Sequence, residues 1–255
     1  GVITVKGPVA DGIYNSGDKN ITIVHGSIFV NGDGSSSDGA EGITNMGNNN
    51  ETTLSGSITT TGIHNDGIAN YGNNNKTTLS GSITTTGTDA FGIYNAGDTN
   101  TTTISGTVKA TGASSAALYN KRGSGNSFTL DEGAIIIGDI LARDHTNNAL
   151  DATNSKLIFN LGASTSYAYS VSGKGEGTTA GKWDFSDLDG RSQVVTTAGT
   201  GCGTTISGAN NDTCNLVTAV STGNAEAQDE LQFFMNSSMI GSLKRHDKPA
   251  AAEPN

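Results

Sequence analysis

The chain has little of what a compact catalytic domain or a membrane-spanning helix is built from. Of its 255 residues two are cysteine, three are proline and one is tryptophan, and aromatic residues make up 5%. No apolar run approaches the roughly 20 residues that cross a bilayer as a helix. Positive charge is also scarce: 14 Lys and Arg stand against 24 Asp and Glu, for a net charge of −10 and a pI near 4.7. Basic residues adjoin only at Lys121-Arg122 and Lys244-Arg245. Without a basic patch to release counterions, nucleic acid and anionic membrane are poor partners. No cofactor-binding motif is present. The two cysteines, Cys202 and Cys214, have no histidine or second cysteine pair beside them, which argues against a metal centre. The segment between them reads as a hairpin with its loop near 209–212, which sets the thiols facing each other. A disulfide is expected, and with it an oxidising, extracytoplasmic setting; the alternative is two unpaired thiols. The start, Gly1-Val-Ile-Thr-Val-Lys6, reads as a strand rather than a leader, as a mature or excised boundary would.

What the chain does have is repetition. Gly12-Ile-Tyr-Asn-Ser-Gly17 recurs as Gly42-Ile-Thr-Asn-Met-Gly47, Gly67-Ile-Ala-Asn-Tyr-Gly72 and Gly92-Ile-Tyr-Asn-Ala-Gly97, with starts 30, 25 and 25 residues apart. A degenerate copy follows at Ala117-Leu-Tyr-Asn120. The longer first spacing is an insertion at 32–39. A period of this size marks a solenoid, whose units bury their apolar sides only by stacking. The segments between copies are rich in Thr, Ile and Val, which favour pleated strands, with Gly and Asn at the turns. About 25 residues hold three short strands and their turns, the size of one coil of a parallel β-helix.

In that fold three apolar columns are expected. They are Ile13, Ile43, Ile68, Ile93 and Leu118; Val24, Leu54, Leu79, Ile104 and Leu130; and Ile28, Ile58, Ile83, Val108 and Ile135. Thr59, Thr61, Thr84 and Thr86 alternate with them and should face solvent. Asn15, Asn45, Asn70, Asn95 and Asn120 share a column in which stacked side chains can bond from coil to coil.

The repeats are expected over 1–162. A non-repetitive β cap follows over 163–223, with Trp183 and the cysteines. Ala225, Leu231, Met235, Met239 and Leu243 recur at helical spacing, so 224–246 is expected to be an amphipathic helix, and 247–255 a disordered tail. Together the Gly-Ile-x-Asn-x-Gly coils, the cap holding Trp183 and the stretch Glu230-Leu-Gln-Phe-Phe-Met-Asn-Ser-Ser-Met-Ile-Gly-Ser-Leu243 resemble the passenger of a bacterial autotransporter of the type V secretion class. The resemblance implies a right-handed three-stranded β-helix, an autochaperone-like cap, and a helical linker toward an outer-membrane barrel expected downstream. It also implies an extracellular or cell-surface location.

Candidate sites are few. The Gly-Asp-Ser-Gly-Ser motif of passenger serine proteases is missing; Gly32-Asp-Gly-Ser-Ser36 is the nearest string. His25, His64 and His145 have no recognisable partner spacing. Asp11, Glu41 and Asp66 each precede a Gly-Ile copy and form a possible acidic column. Tyr14, Tyr94 and Tyr119 follow the Ile column and, with Tyr71 and Phe91, form the one aromatic group on the coils; it is expected to face outward and anchor a partner. These features point to a non-enzymatic passenger acting through its side faces. Its partner would be a host-cell or matrix protein, a glycan, or another copy of itself. The alternative is a carbohydrate-active or carbohydrate-binding β-helix.

Overall fold

The computed structural model describes residues 1–32 and 39–142, together with seven later strands. These are Ala152–Thr153, Ser155–Asn160, Ser166–Tyr169, Val171–Ser172, Trp183–Asp187, Ser192–Ala198 and Leu216–Ser221. Residues 33–38, His145, both cysteines and the expected helix over 224–246 lie outside the described residues.

Three parallel sheets run along the repeats and make a β-helix of about six coils. The first sheet stacks Val2–Lys6, Ser27–Asn31, Ser57–Thr61, Ser82–Thr85, Thr107–Ala110 and Ile135–Ile137. The second stacks Ile13–Asn15, Ile43–Asn45, Ile68–Asn70, Ile93–Asn95, Leu118–Asn120, Ile140–Ala142 and Val171–Ser172. The third stacks Ile21–Val24, Glu51–Leu54, Lys76–Leu79, Thr101–Ile104, Ser127–Asp131, Ser155–Asn160 and Trp183–Asp187. Each coil visits the sheets in that order, so coils are numbered here from 1 at the amino end. The parallel stacking thus runs on past residue 162. Ser166–Tyr169, Leu216–Ser221 and Ser192–Ala198 form a separate antiparallel sheet.

Register explains the repeat. Ile43 pairs with Ile13 and Ile68, and Leu54 with Val24 and Leu79, so like residues stack on like. Ile43, Ile58, Ile68, Leu79, Ile83, Ile93, Ile104 and Leu118 are essentially inaccessible and form one core. The expected columns hold with one correction. Val108 pairs with Ile136, and Ile135 is 50% exposed. The corner before it is longer than in earlier coils: Leu130 and Ile136 are six residues apart, against four for Ile104 and Val108. A turn closed by the Ala134 N–H on the Asp131 carbonyl (3.0 Å) takes up the difference.

The core is also more polar than the columns suggest. Thr52, Thr77 and Thr102 point inward from the third sheet, and Thr60 and Thr85 from the first, all buried. In the third sheet this column becomes Phe128 in coil 5 and Leu157 in coil 6. Close coil-to-coil contact explains the Gly before each Ile. A Cβ at Gly42 would lie 2.4 Å from Ile58 Cγ2 and 2.5 Å from the Gly67 carbonyl oxygen.

Candidate functional site

The strands of the second sheet are short, three residues each over coils 1–6. Its flanking positions therefore decide what each of its faces carries. On the inner side the Asn column forms a ladder. Each Nδ2–H donates to the next coil's Oδ1, from Asn15 to Asn45, Asn70, Asn95 and Asn120, at 2.8, 2.8, 2.9 and 3.0 Å. The same amides reach Thr22 and Thr52 at the neighbouring corner. The ladder stops at coil 6, where Ala142 pairs with Asn120 and the Asn120 Nδ2 has no acceptor.

Two further ladders hold the turn that follows. The backbone N–H of Asn20, Asn50, Asn75 and Asn100 each donates to the Oδ1 one coil on, ending at Asn126, at 2.8 Å every time. In the opposite sense, the N–H of Asn48, Asn73, Asp98 and Ser124 donates to Asp18, Asn48, Asn73 and Asp98, at 2.6–2.8 Å. Between these ladders sits a left-handed residue in each coil: Lys19, Asn49, Asn74 and Thr99, with φ of 61°, 58°, 57° and 54°. Sequence reading found the first ladder only. The Asn-rich run after each Gly-Ile copy was the signal for the other two.

The outer face of the same sheet is varied. Down the middle run Tyr14, Thr44, Ala69, Tyr94, Tyr119 and Leu141. The position before the Gly-Ile pair carries Asp11, Glu41, Asp66, Phe91 and Ala116. The position after the Asn carries Ser16, Met46, Tyr71, Ala96 and Lys121. The face is thus acidic over coils 1–3 and aromatic over coils 3–5.

The expectation of an exposed aromatic group holds for Tyr14 alone, at 58%. Tyr94 and Tyr119 are 6% and 5% exposed, and Tyr71 and Phe91 are half-buried. The four pack into a second apolar cluster with Ala69, Ala96 and Ala116. Phe91 lies 4.5 Å from Tyr119 and 5.8 Å from Tyr94 between ring centroids, and Tyr71 lies 5.5 Å from Tyr94. The Lys121 ammonium sits 5.6 Å from the Tyr94 centroid, within cation–π range. Outward orientation was legible from the alternation. Burial was not, because it depends on aromatic side chains of successive coils meeting at strand spacing.

The acidic column is drawn into this structure. Asp11 Oδ1 accepts the Glu41 N–H at 3.0 Å, and Asp66 Oδ1 accepts the Phe91 N–H at 2.7 Å. Glu41, one methylene longer, instead receives the Tyr71 hydroxyl at 3.3 Å. Glu41 and Asp66 are 6% and 5% exposed. Burial pushes the Glu41 carboxyl up to about 9, helped by its hydrogen bond with Asp11 and the charges of Asp11 and Asp66. Burial likewise raises Asp66 to about 8, against the pull of the Phe91 N–H and Lys121. Desolvation also raises the Tyr71 and Tyr94 phenols well above the ordinary tyrosine range. Thr44, in the same face, is 2% exposed and its hydroxyl has no hydrogen-bond partner.

Elsewhere, His25 Nδ1 lies 2.6 Å from Ser55 Oγ on an exposed corner, and His64 adopts a left-handed φ of 59° at a turn. Among the described residues no three His, Cys, Asp or Glu are placed to hold a metal ion. No protein-family model matches the chain, and neither the curated proteins nor the solved structures contain a match to it.

Proposed function

We propose that this protein is the secreted or surface-held passenger of a bacterial autotransporter, acting by contact in adhesion, self-association or host interaction rather than by catalysis. One observation carries the reading. The inner columns largely repeat the same residues coil after coil, whereas the outward positions change chemically from coil to coil, those of the second sheet from acidic to aromatic. A scaffold that holds its interior constant while varying its outward positions suits recognition along its length. The exposed apolar members of the second sheet's outer face, Tyr14 at 58% and Met46 at 46%, are the residues offered to a partner. The partner is a matrix or host-surface protein, a glycan, or a second copy.

The test is attachment of the purified chain to host cells, matrix proteins, a glycan array and itself. Tyr14→Ser together with Met46→Ser should weaken attachment about tenfold, the size expected for losing one aromatic anchor, while leaving the fold intact. Absence of all attachment, together with turnover of a polysaccharide, would overturn the reading in favour of a carbohydrate-active β-helix. That second reading has its own support. Burial raises the Glu41 carboxyl, the direction a general acid needs. On that reading Glu41→Gln abolishes turnover.

A further inference from the structure

We propose that Glu41, Asp66 and the Tyr71 phenol, with Asp11 beside them in the same column, form a proton-held clasp on the outer face of the second sheet, closed while Glu41 and Asp66 keep their protons and opened when they lose them. The inference is independent of what the protein binds. It starts from placement. Three carboxyls stand in one column on coils 1, 2 and 3, in register with their strands. Adjacent strands are about 4.8 Å apart, so three ionised groups here would repel at short range with little water between them. Two of the three are already nine-tenths buried.

The Tyr71 side chain is what the column fastens. Tyr71 follows its strand in coil 3, whereas Glu41 precedes its strand in coil 2. The hydrogen bond between them therefore runs diagonally across the face that carries Thr44 and Ala69. Thr44 and Ala69 are 2% and 0% exposed, and Tyr71 packs against the cluster containing Ala69 and Tyr94. The remaining groups facing the column are Tyr94 on coil 4, and Tyr119, Lys121 and Arg122 on coil 5. Lys121 partly offsets the charge of Asp66, and Arg122 acts on Tyr94. On Glu41 the charges of Asp11 and Asp66 add to burial in favouring the protonated form, opposed by its own backbone N–H and by the donating Tyr71 hydroxyl. Loss of the Glu41 and Asp66 protons puts two buried negative charges beside Tyr71, only partly offset by the Tyr71 hydroxyl, the Phe91 N–H and Lys121. The charge is relieved when water enters, and that requires the phenol to swing off Thr44 and Ala69.

Residue-resolved hydroxyl-radical footprinting of the full chain tests this directly, with exposed Tyr14 as internal reference. The ratio of Tyr71 to Tyr14 modification should rise about threefold between about pH 6 and about pH 9.5. In the double variant Glu41→Gln/Asp66→Asn, whose amides match the protonated carboxyls in shape, the ratio should stay at its low-pH value throughout. Glu41→Gln alone, which leaves the Phe91 N–H its acceptor on Asp66, should show a smaller rise than the wild type. A wild-type ratio that does not change with pH overturns the clasp. So does a double variant that retains the full wild-type rise.

Discussion

On its inner side the second sheet passes one amide hydrogen from Asn15 to Asn45, Asn70, Asn95 and Asn120 in turn. On its outer side the same coils carry Tyr14, Thr44, Ala69, Tyr94 and Tyr119. Both sides are largely buried, yet they are held differently. The inner ladder is a directional bond whose partner must be another Asn, so one exception ends it, as Ala142 does. The outer face is non-directional packing, in which an aromatic ring can be replaced by a small residue if a neighbour leans across, as Tyr71 does near Ala69. Repetition is therefore the mark of hydrogen-bond register, and variety is the mark of packing that tolerates exchange.

The sharpest way to break the comparison is on the inner side. Asn70 is fully buried, accepts from Asn45, and donates to Thr77 and Asn95. Asn70→Ala leaves Asn95 Oδ1 without that donor and Asn45 Nδ2 without that acceptor, and should lower stability by about 4 kcal/mol in chemical denaturation. Tyr94→Ala on the outer side should cost less, about 3 kcal/mol, because the loss is packing against Tyr71, Phe91 and Tyr119 with no orphaned polar partner. If Tyr94→Ala proves the costlier, the outer cluster rather than the Asn ladder is the main tie between coils.

Charge gives the third test. Glu41 and Asp66 are raised in the folded chain to about 9 and about 8, from 4.5 and 3.8. A raised carboxyl means that the folded state holds protons the unfolded chain gives up. Stability is then fullest below about pH 4 and falls as pH rises through the range up to about 9. Glu41→Gln removes much of this slope: near pH 4 it should be neutral, and near pH 8 it should be more stable than the wild type by about 2 kcal/mol. Thermal melts across pH decide it, and equal slopes for the two proteins would count against a buried Glu41.

How far the residues alone disclosed these relations follows from the same contrast. The β-helix, its period and two of the three apolar columns were legible in full, because a parallel stack repeats its sequence wherever it repeats its register. The third column slipped by one residue at Ile135, where two extra turn residues precede the strand and periodicity has nothing to align. Asp11, Glu41 and Asp66 were legible as a column but not as buried groups. Their burial depends on Tyr71 crossing between coils, and that contact leaves no spacing signature. Glu41 and Tyr71 read as separate features because they lie at opposite ends of three-residue strands in successive coils, and only the side chains bring them together.

Two smaller effects refine the comparison. Ala142 breaks the ladder and leaves Asn120 Nδ2 without an acceptor. Ala142→Asn should restore that bond and raise stability by about 1 kcal/mol. A loss instead would show that coil 6 has narrowed beyond room for the amide.

The smallest effect is the most useful for function. Tyr14 shares its column with Tyr94 but has no coil before it in the second sheet and is 58% exposed. It is absent from the aromatic cluster that encloses Tyr94 and Tyr119. Tyr14→Ser should therefore shift stability by no more than about 0.5 kcal/mol, as exposed substitutions away from packed features do. The same substitution at Tyr94 would unfasten the outer face. A Tyr14→Ser chain that melts like the wild type but attaches less well assigns the loss to contact alone. A chain that melts much earlier places Tyr14 among the packed aromatics and moves the contact surface elsewhere along the coils.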